Sequence, residues 1–205
     1  MKKLIFRYSA MNAGKTANLL MTYFNYNELN LNPVIVVPNT NKSEIVYSRI
    51  GLSAKATKFE KLKEYIENNK VDCVLVDEAQ FLTKDEVEFL NCISIHNNIT
   101  VICYGLRTTS TGTLFEGSKY LMAIADIIEE LPTLCSCGEK ARMNLRLLNG
   151  EVDKSNVVIK YREEQSVAYV SLCRKCFHSV YNNKNNNELI EYIKKFDNTI
   201  NIKNQ

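Results

Sequence analysis

The stretch Ser9-Ala10-Met11-Asn12-Ala13-Gly14-Lys15-Thr16 follows the apolar run Leu4-Ile5-Phe6 and leads into Ala17-Asn18-Leu19-Leu20-Met21-Thr22-Tyr23-Phe24. A strand, a tight turn ending in Gly-Lys-Thr and an amphipathic continuation make the setting that a phosphate-binding loop needs. Successive backbone N–H groups and the N-terminus of the following helix form a concave anion site, which an inward side chain would fill. Gly14 leaves that space open. Lys15 can then place its ammonium between terminal phosphates, and Thr16 can offer its hydroxyl to the magnesium that accompanies a nucleoside triphosphate. Ser9 stands where the pattern G-x-x-x-x-G-K-[ST] has glycine. At positive φ it would cost roughly 1–2 kcal/mol, so the turn either starts in an ordinary conformation or holds strain.

Working outward, Asn32-Pro33 breaks the chain and Val34 to Pro38 reads as a buried strand, its unbroken β-branched run suited to a parallel sheet covered on both faces. Residues 39–57 are polar and are expected to be irregular. Thr57-Lys58-Phe59-Glu60 and Thr83-Lys84-Asp85-Glu86 both have capping-box spacing and predict helix starts. The first helix would carry Leu62, Tyr65 and Ile66, and the second Val87, Phe89, Leu90 and Ile93. Cys73 to Val76 and Thr100 to Tyr104 are further apolar strands, the latter closed by Gly105. Strands alternating with helices predict a parallel α/β sheet, with ligands at the carboxyl ends of the strands, near Ser9, Asp77 and Gly105.

Past about residue 130 the pattern changes. Short β-like segments (141–147, 156–161 and 169–172) lie between Cys135-Ser136-Cys137 and Cys173-Arg174-Lys175-Cys176. The expected organisation is a nucleotide-binding domain over 1–130, a β-rich metal-binding domain over 131–181 and a polar tail over 182–205. The tail holds an Asn tract and a possible short helix near Glu188 to Phe196.

The 205 residues are 45% hydrophobic and 24% charged with a net charge of +3, enough apolar content for a real core and too little basicity to argue for nucleic acid. No stretch approaches the roughly 20 apolar residues of a membrane span. Arg7 interrupts the short apolar run after Met1-Lys2-Lys3, so a signal peptide is not expected and the reading is cytoplasmic. Seven cysteines, an odd number, then point to reduced thiols or metal ligands rather than a disulfide framework.

Asp77 ends an apolar strand downstream of the phosphate loop, where a carboxylate can hold magnesium directly or through water. Glu78 follows at once, and alternation along an extended segment would turn it the other way, free to face an incoming hydroxyl as general base. Cys135, Cys137, Cys173 and Cys176 form two pairs, each close enough to chelate one tetrahedral zinc; a site closed by four thiolates is structural rather than catalytic. His178 is an alternative ligand, His96 suits a helix surface, and Cys73, Cys92 and Cys103 read as small core residues. Arg49 and Arg107 could bring a cation to a transferred phosphoryl group, although a loop arginine is more often solvated. Phe81, Phe115, Tyr161 and Tyr169 could wall a nucleobase pocket, although each could equally be core.

In order along the chain, Ser9 to Thr16, Asp77-Glu78-Ala79-Gln80-Phe81, Gly105-Leu106-Arg107-Thr108, Leu114 to Leu121 and the paired cysteines with Tyr169 to Cys176 resemble the zinc-containing thymidine kinase family. The resemblance spans about residues 3 to 178. It implies an ATP:thymidine phosphotransferase acting on the 5′-hydroxyl of thymidine or deoxyuridine in nucleotide salvage. It further implies a RecA-like α/β domain with a parallel sheet, a small β-rich zinc domain with a lasso loop that folds over the nucleoside, a tetramer, and inhibition by dTTP. Position by position it assigns Ser9, Met11, Asn12, Ala13, Gly14, Lys15, Thr16, Asp77 and Gln80 to ATP phosphates and magnesium, Glu78 to the base and Arg49 to the phosphate side. Met11, Phe81, Leu106, Phe115, Asn144, Ile159 and Tyr169 fall to the nucleoside, and the four paired cysteines to structural zinc. The chain departs from the family at Ser9, at Ser110, where an aromatic ring usually packs on the nucleoside, and at Lys160-Tyr161, which replaces Gly-Gly ahead of about four extra residues.

Two rival readings belong to other classes. Asp77-Glu78-Ala79-Gln80 also resembles a helicase motif, but such motors need a second RecA-like domain and the length leaves no room for one. A binding or regulatory protein that kept the kinase fold and lost turnover would be marked by Ser9 and Ser110.

Overall fold

A computed structural model of the chain describes residues 2–155 and 167–182. The expected strand at 156–161, the possible helix at 188–196, and Ile159, Lys160 and Tyr161 lie outside the described residues. The described residues fall into two compact units, one of 2–107 and 114–131, the other of 108–113, 132–155 and 167–182.

The first unit is built on β1 (Leu4–Ser9), β2 (Pro33–Val37), β5 (Thr57–Lys58), β6 (Cys73–Val76), β7 (Thr100–Leu106) and β8 (Ile127–Glu130). They form one six-stranded sheet in the order β5-β2-β6-β7-β1-β8, and every neighbouring pair is parallel. The apolar runs follow from this burial. Successive residues of a strand point to opposite faces, so Val74 and Val76 join one core while Cys73 and Leu75 join the other. Helix α1 (Lys15–Glu28) supplies Leu19 and Leu20 to the second of these faces. Helices α2 (Leu62–Asn68), α3 (Lys84–His96) and α4 (Glu116–Ile124) supply Leu62, Val87, Leu90, Ile93 and Leu121 to the first. Each such side chain contributes about 1.5–3 kcal/mol by leaving water.

Of the two expected capping boxes only the second forms. Thr83 accepts from the Glu86 N–H and Glu86 reciprocates at the Thr83 N–H, closing the start of α3. Thr83→Ala should therefore cost about 1 kcal/mol and lower the melting temperature by roughly 2–4 °C, read by thermal unfolding. Thr57 instead pairs with Val36 at the edge of the sheet, and a 3-10 turn (Phe59–Lys61) precedes α2, so tertiary pairing overrides the local cap. The segment 39–57, expected to be irregular, contains the antiparallel hairpin β3 (Ile45–Tyr47) and β4 (Ser53–Lys55), closed around Gly51 at φ 88°. Its strands are too short and exposed to leave a periodic signal. β8 likewise leaves no periodic signal, because none of its residues is fully buried at the sheet edge.

In the second unit β9 (Met143–Leu148), β10 (Glu151–Val152) and β11 (Val167–Leu172) make a three-stranded antiparallel sheet in the order β10-β9-β11. Helix α5 (Arg174–Asn182) follows directly. Leu145, Leu147, Leu172 and Val180 form its small core beside Cys135 and Cys173. Arg146 is buried there and pairs with Asp153 at 3.0 Å.

Candidate functional site

In the sheet β7 separates β1 from β6, so the loop after β1 and the acids after β6 flank the end of β7. Ser9 closes β1 and is buried, without a positive φ; the left-handed positions of the loop are Asn12 (φ 62°) and Gly14 (φ 70°). The missing glycine thus carries no backbone cost. Ser9 Oγ donates to the Ala10 carbonyl at 2.6 Å and accepts from Lys15 Nζ at 3.0 Å, while Nζ also reaches the Ala10 carbonyl at 3.2 Å. Open space surrounds the place of a Gly14 Cβ, as a phosphate cradle requires. Burial lowers the Lys15 pKa from its ordinary value, against the carboxylates of Glu78 and Asp77 that raise it.

Asp77 is buried, and its Oδ2 accepts from Thr16 Oγ1 at 3.1 Å. Adjacent ligands of a magnesium ion with ~2.1 Å bonds lie about 3 Å apart, so these two oxygens could hold one. Burial, and then the neighbouring Glu78 charge, push the Asp77 carboxyl up to about 7. A cation bound between Asp77 and Thr16 would reverse that balance.

Glu78 is not the next residue of an extended segment, as alternation supposed. It sits in the left-handed region at φ 54° and ψ 35° and caps a 3-10 turn, Ala79–Phe81. Its N–H donates to Asp77 Oδ1 at 3.1 Å. The chain turns sharply between the two acids, and that turn gives them different surroundings. Gln80 is buried, accepts at Oε1 from the Leu106 N–H at 3.0 Å, and donates from Nε2 to Glu78 Oε2. Phe81 and Phe115 meet edge to face, with ring centroids 5.7 Å apart. Arg49, exposed in the β3–β4 turn, donates to Asn12 Oδ1 of the loop. Arg107 lies over the Tyr8 ring, 5.4 Å from its centroid. Met11, Ala13 and Leu106 are half-buried at the same strand ends.

A network that the sequence did not disclose ties α1 to the sheet: Arg7 Nη1 donates to Tyr104 Oη at 2.8 Å and to Asn18 at 3.2 Å, and Thr22 meets Tyr104 Oη at 3.2 Å. Its partners are far apart in the chain and match no local pattern.

In the second unit, Cys135, Cys137, Cys173 and Cys176 bring their Sγ atoms within 4.8 Å of one another. Cys137 and Cys173 sulfurs are 3.7 Å apart. A tetrahedron with Zn–S bonds near 2.3 Å has edges of about 3.8 Å, so the cluster could hold such an ion. Burial opposes ionisation of Cys135, but hydrogen bonds centred on Cys137, Cys173 and Ser136 bring it down to about 7; burial and the neighbouring thiols push Cys176 up. Four thiolates this close together require a cation. His178 is exposed on α5, outside this cluster. Cys73 and Cys103 are core residues, whereas Cys92 is exposed on α3, contrary to expectation, because its helix face looks to solvent. Asn144 is buried on β9 and Tyr169 half-buried on β11, both in this unit, as is Ser110 in the turn ending at Gly112.

Comparison with known proteins decides among the phosphate-loop families this arrangement allows. Residues 2–177 match the family described as thymidine kinase. The chain belongs to the thymidine kinase family. Among its relatives, the thymidine kinase of Mannheimia succiniciproducens is 44% identical over 189 residues, covering 87% of this chain and 95% of that protein. The thymidine kinase of Zymomonas mobilis is 41% identical over 191 residues, 86% and 96% of the two chains. That of Haemophilus influenzae strain KW20 is 44% identical over 185 residues, 85% and 95%. The family match thus takes in residues of both units, and these relatives align over 85–87% of the chain.

Proposed function

We propose that this protein transfers the γ-phosphoryl group of ATP to the 5′-hydroxyl of thymidine or deoxyuridine. The observation that carries the reading is the gathering of Lys15, Thr16, Asp77 and Glu78 at the ends of β1 and β6 in a member of the thymidine kinase family. The loop N–H groups and Lys15 receive the phosphates, and Lys15 leaves Ser9 Oγ to do so. Thr16 and Asp77 would hold magnesium, which supplies charge neutralisation between the terminal phosphates. Glu78 takes the proton of the attacking hydroxyl at its carboxylate, and Arg49 stabilises charge from the loop side. The family resemblance assigns Met11, Phe81, Leu106 and Phe115 to the nucleoside, and likewise Asn144, Ile159 and Tyr169. The four cysteines would hold zinc, which supplies a structural crosslink.

The family likeness supports a homotetramer, inhibition by dTTP and a cytoplasmic place in nucleotide salvage. Among the described residues no helix is long and apolar enough to cross a membrane. The test is ADP formation with ATP and magnesium across thymidine, deoxyuridine and deoxycytidine. The expected result is turnover that depends on thymidine or deoxyuridine; ADP formation indifferent to nucleoside, or none at all, would refute the assignment.

A further inference from the structure

Gln80 is 2% exposed, and its amide is committed at both ends. The Leu106 N–H can only donate, so the oxygen of the Gln80 amide must face it, at 3.0 Å. The amide nitrogen is thereby turned onto Glu78 Oε2, which it meets as donor to acceptor. The bond to Leu106 therefore dictates the bond to Glu78.

The surroundings hold this amide in place. A Cβ at Gly105 would stand 2.9 Å from Gln80 Oε1 and 3.0 Å from its backbone nitrogen, so only glycine lets β7 approach this closely. On the other side α4 presses on the 3-10 turn through Gly117, where a Cβ would meet the Ala79 carbonyl at 2.4 Å. Ser118 Oγ donates to the Leu106 carbonyl at 2.5 Å, fixing the residue whose N–H orients Gln80. Ser118 is fully buried. Glu78 itself stands at φ 54°, a conformation that a non-glycine residue keeps only when its neighbours hold it.

We propose that Gln80 is a positioning residue, whose amide, oriented by the Leu106 N–H, fixes one carboxylate oxygen of Glu78 and leaves the other to meet the nucleoside hydroxyl. This rests on the reading of Glu78 as general base. It differs from the family-based assignment of Gln80 to ATP phosphates in what its loss should change: turnover, through Glu78, rather than ATP affinity.

The experiment is a double-mutant cycle on the full-length enzyme, with kcat and both KM values measured for the parent, Gln80→Met, Glu78→Gln and the double variant. Gln80→Met should lower kcat about tenfold or more, the worth of a hydrogen bond to a charged group, with the ATP KM within about twofold. On the Glu78→Gln background the same change should alter kcat less than about twofold, because there is no longer a base to position. Equal losses of kcat on both backgrounds would overturn the positioning role while leaving Glu78 as base. A raised ATP KM with unchanged kcat would return Gln80 to the phosphates. Parental kcat in the Glu78→Gln single variant would remove the base and the proposal together.

Gln80→Glu guards against mere damage to the fold. It keeps the volume and the acceptor for Leu106 but sets against Glu78 a carboxylate that repels it where the amide donated. It should stay slow at parental secondary structure by circular dichroism, whereas recovery of kcat would show that the support of Leu106 was all that mattered.

Discussion

Replacement of Cys173 by serine is expected to release one zinc per chain and to abolish nucleoside-dependent turnover. Cys173 is buried where β11 passes into α5, 3.7 Å from the Cys137 sulfur, and its Sγ accepts the Cys176 N–H at 3.4 Å. The second unit has a core of a few side chains around Leu145, Leu147 and Leu172. Units this small are generally marginal without a metal or a crosslink. Zinc binding contributes of the order of 10–16 kcal/mol in small zinc modules, far more than such a core can replace. The segment between the two cysteine pairs carries Asn144, Ile159 and Tyr169, the residues proposed to reach the nucleoside. Loss of the metal should thus raise the thymidine KM beyond measurement, while the phosphate loop of the first unit still binds ATP. Elemental analysis, melting with and without a chelator, and ATP titration read the three consequences separately. A parent protein without zinc, or a Cys173→Ser variant with unchanged melting and kinetics, would contradict the structural role.

The adjacent acids should give separable kinetic signatures. Glu78→Gln keeps the size of the side chain and its capacity to hydrogen-bond but cannot take a proton, so kcat should fall by about 10²–10⁴ with ATP affinity and magnesium optimum near the parent's. Because phosphoryl transfer depends mostly on positioning and electrostatics, a loss at the low end of that range is the expected one. Asp77→Asn should weaken the use of ATP and shift the magnesium dependence, since Asp77 bonds the Thr16 hydroxyl and would share the ion with it. Without nucleotide or metal, this variant should melt no lower than the parent. Burial and the Glu78 charge disfavour its carboxylate more than Thr16, the Glu78 N–H and Lys15 favour it, and the neutral amide of asparagine escapes that penalty. Loss of catalysis without loss of stability would then point to function. Side-by-side kinetics with both substrates and magnesium varied decide the matter: near-parental kcat in Glu78→Gln, or unchanged magnesium dependence in Asp77→Asn, would mean that the roles are assigned wrongly.

What the sequence determined by itself was everything that leaves a periodic or local trace. The buried strands β2, β6 and β7 declared themselves because burial on both faces demands unbroken apolar residues. The phosphate loop showed in Gly14-Lys15-Thr16, the Thr83 cap in its spacing to Glu86, and the thiolate cluster in its paired cysteines. Family likeness then named the chemistry. The tertiary structure alone decided that Ser9 ends a strand without strain and accepts the resting lysine, because a backbone angle is set by what packs around it. It also decided that Thr57 pairs as an edge strand instead of capping a helix, since a ladder partner in β2 outweighs a local hydrogen bond. The left-handed turn at Glu78, and the amide of Gln80 locked between Glu78 and Leu106, depend on β7 and α4 arriving from about 25 and more residues away. No window of sequence contains both sides of such a contact, and the orientation of a base is fixed only when the sheet and the helix above it close.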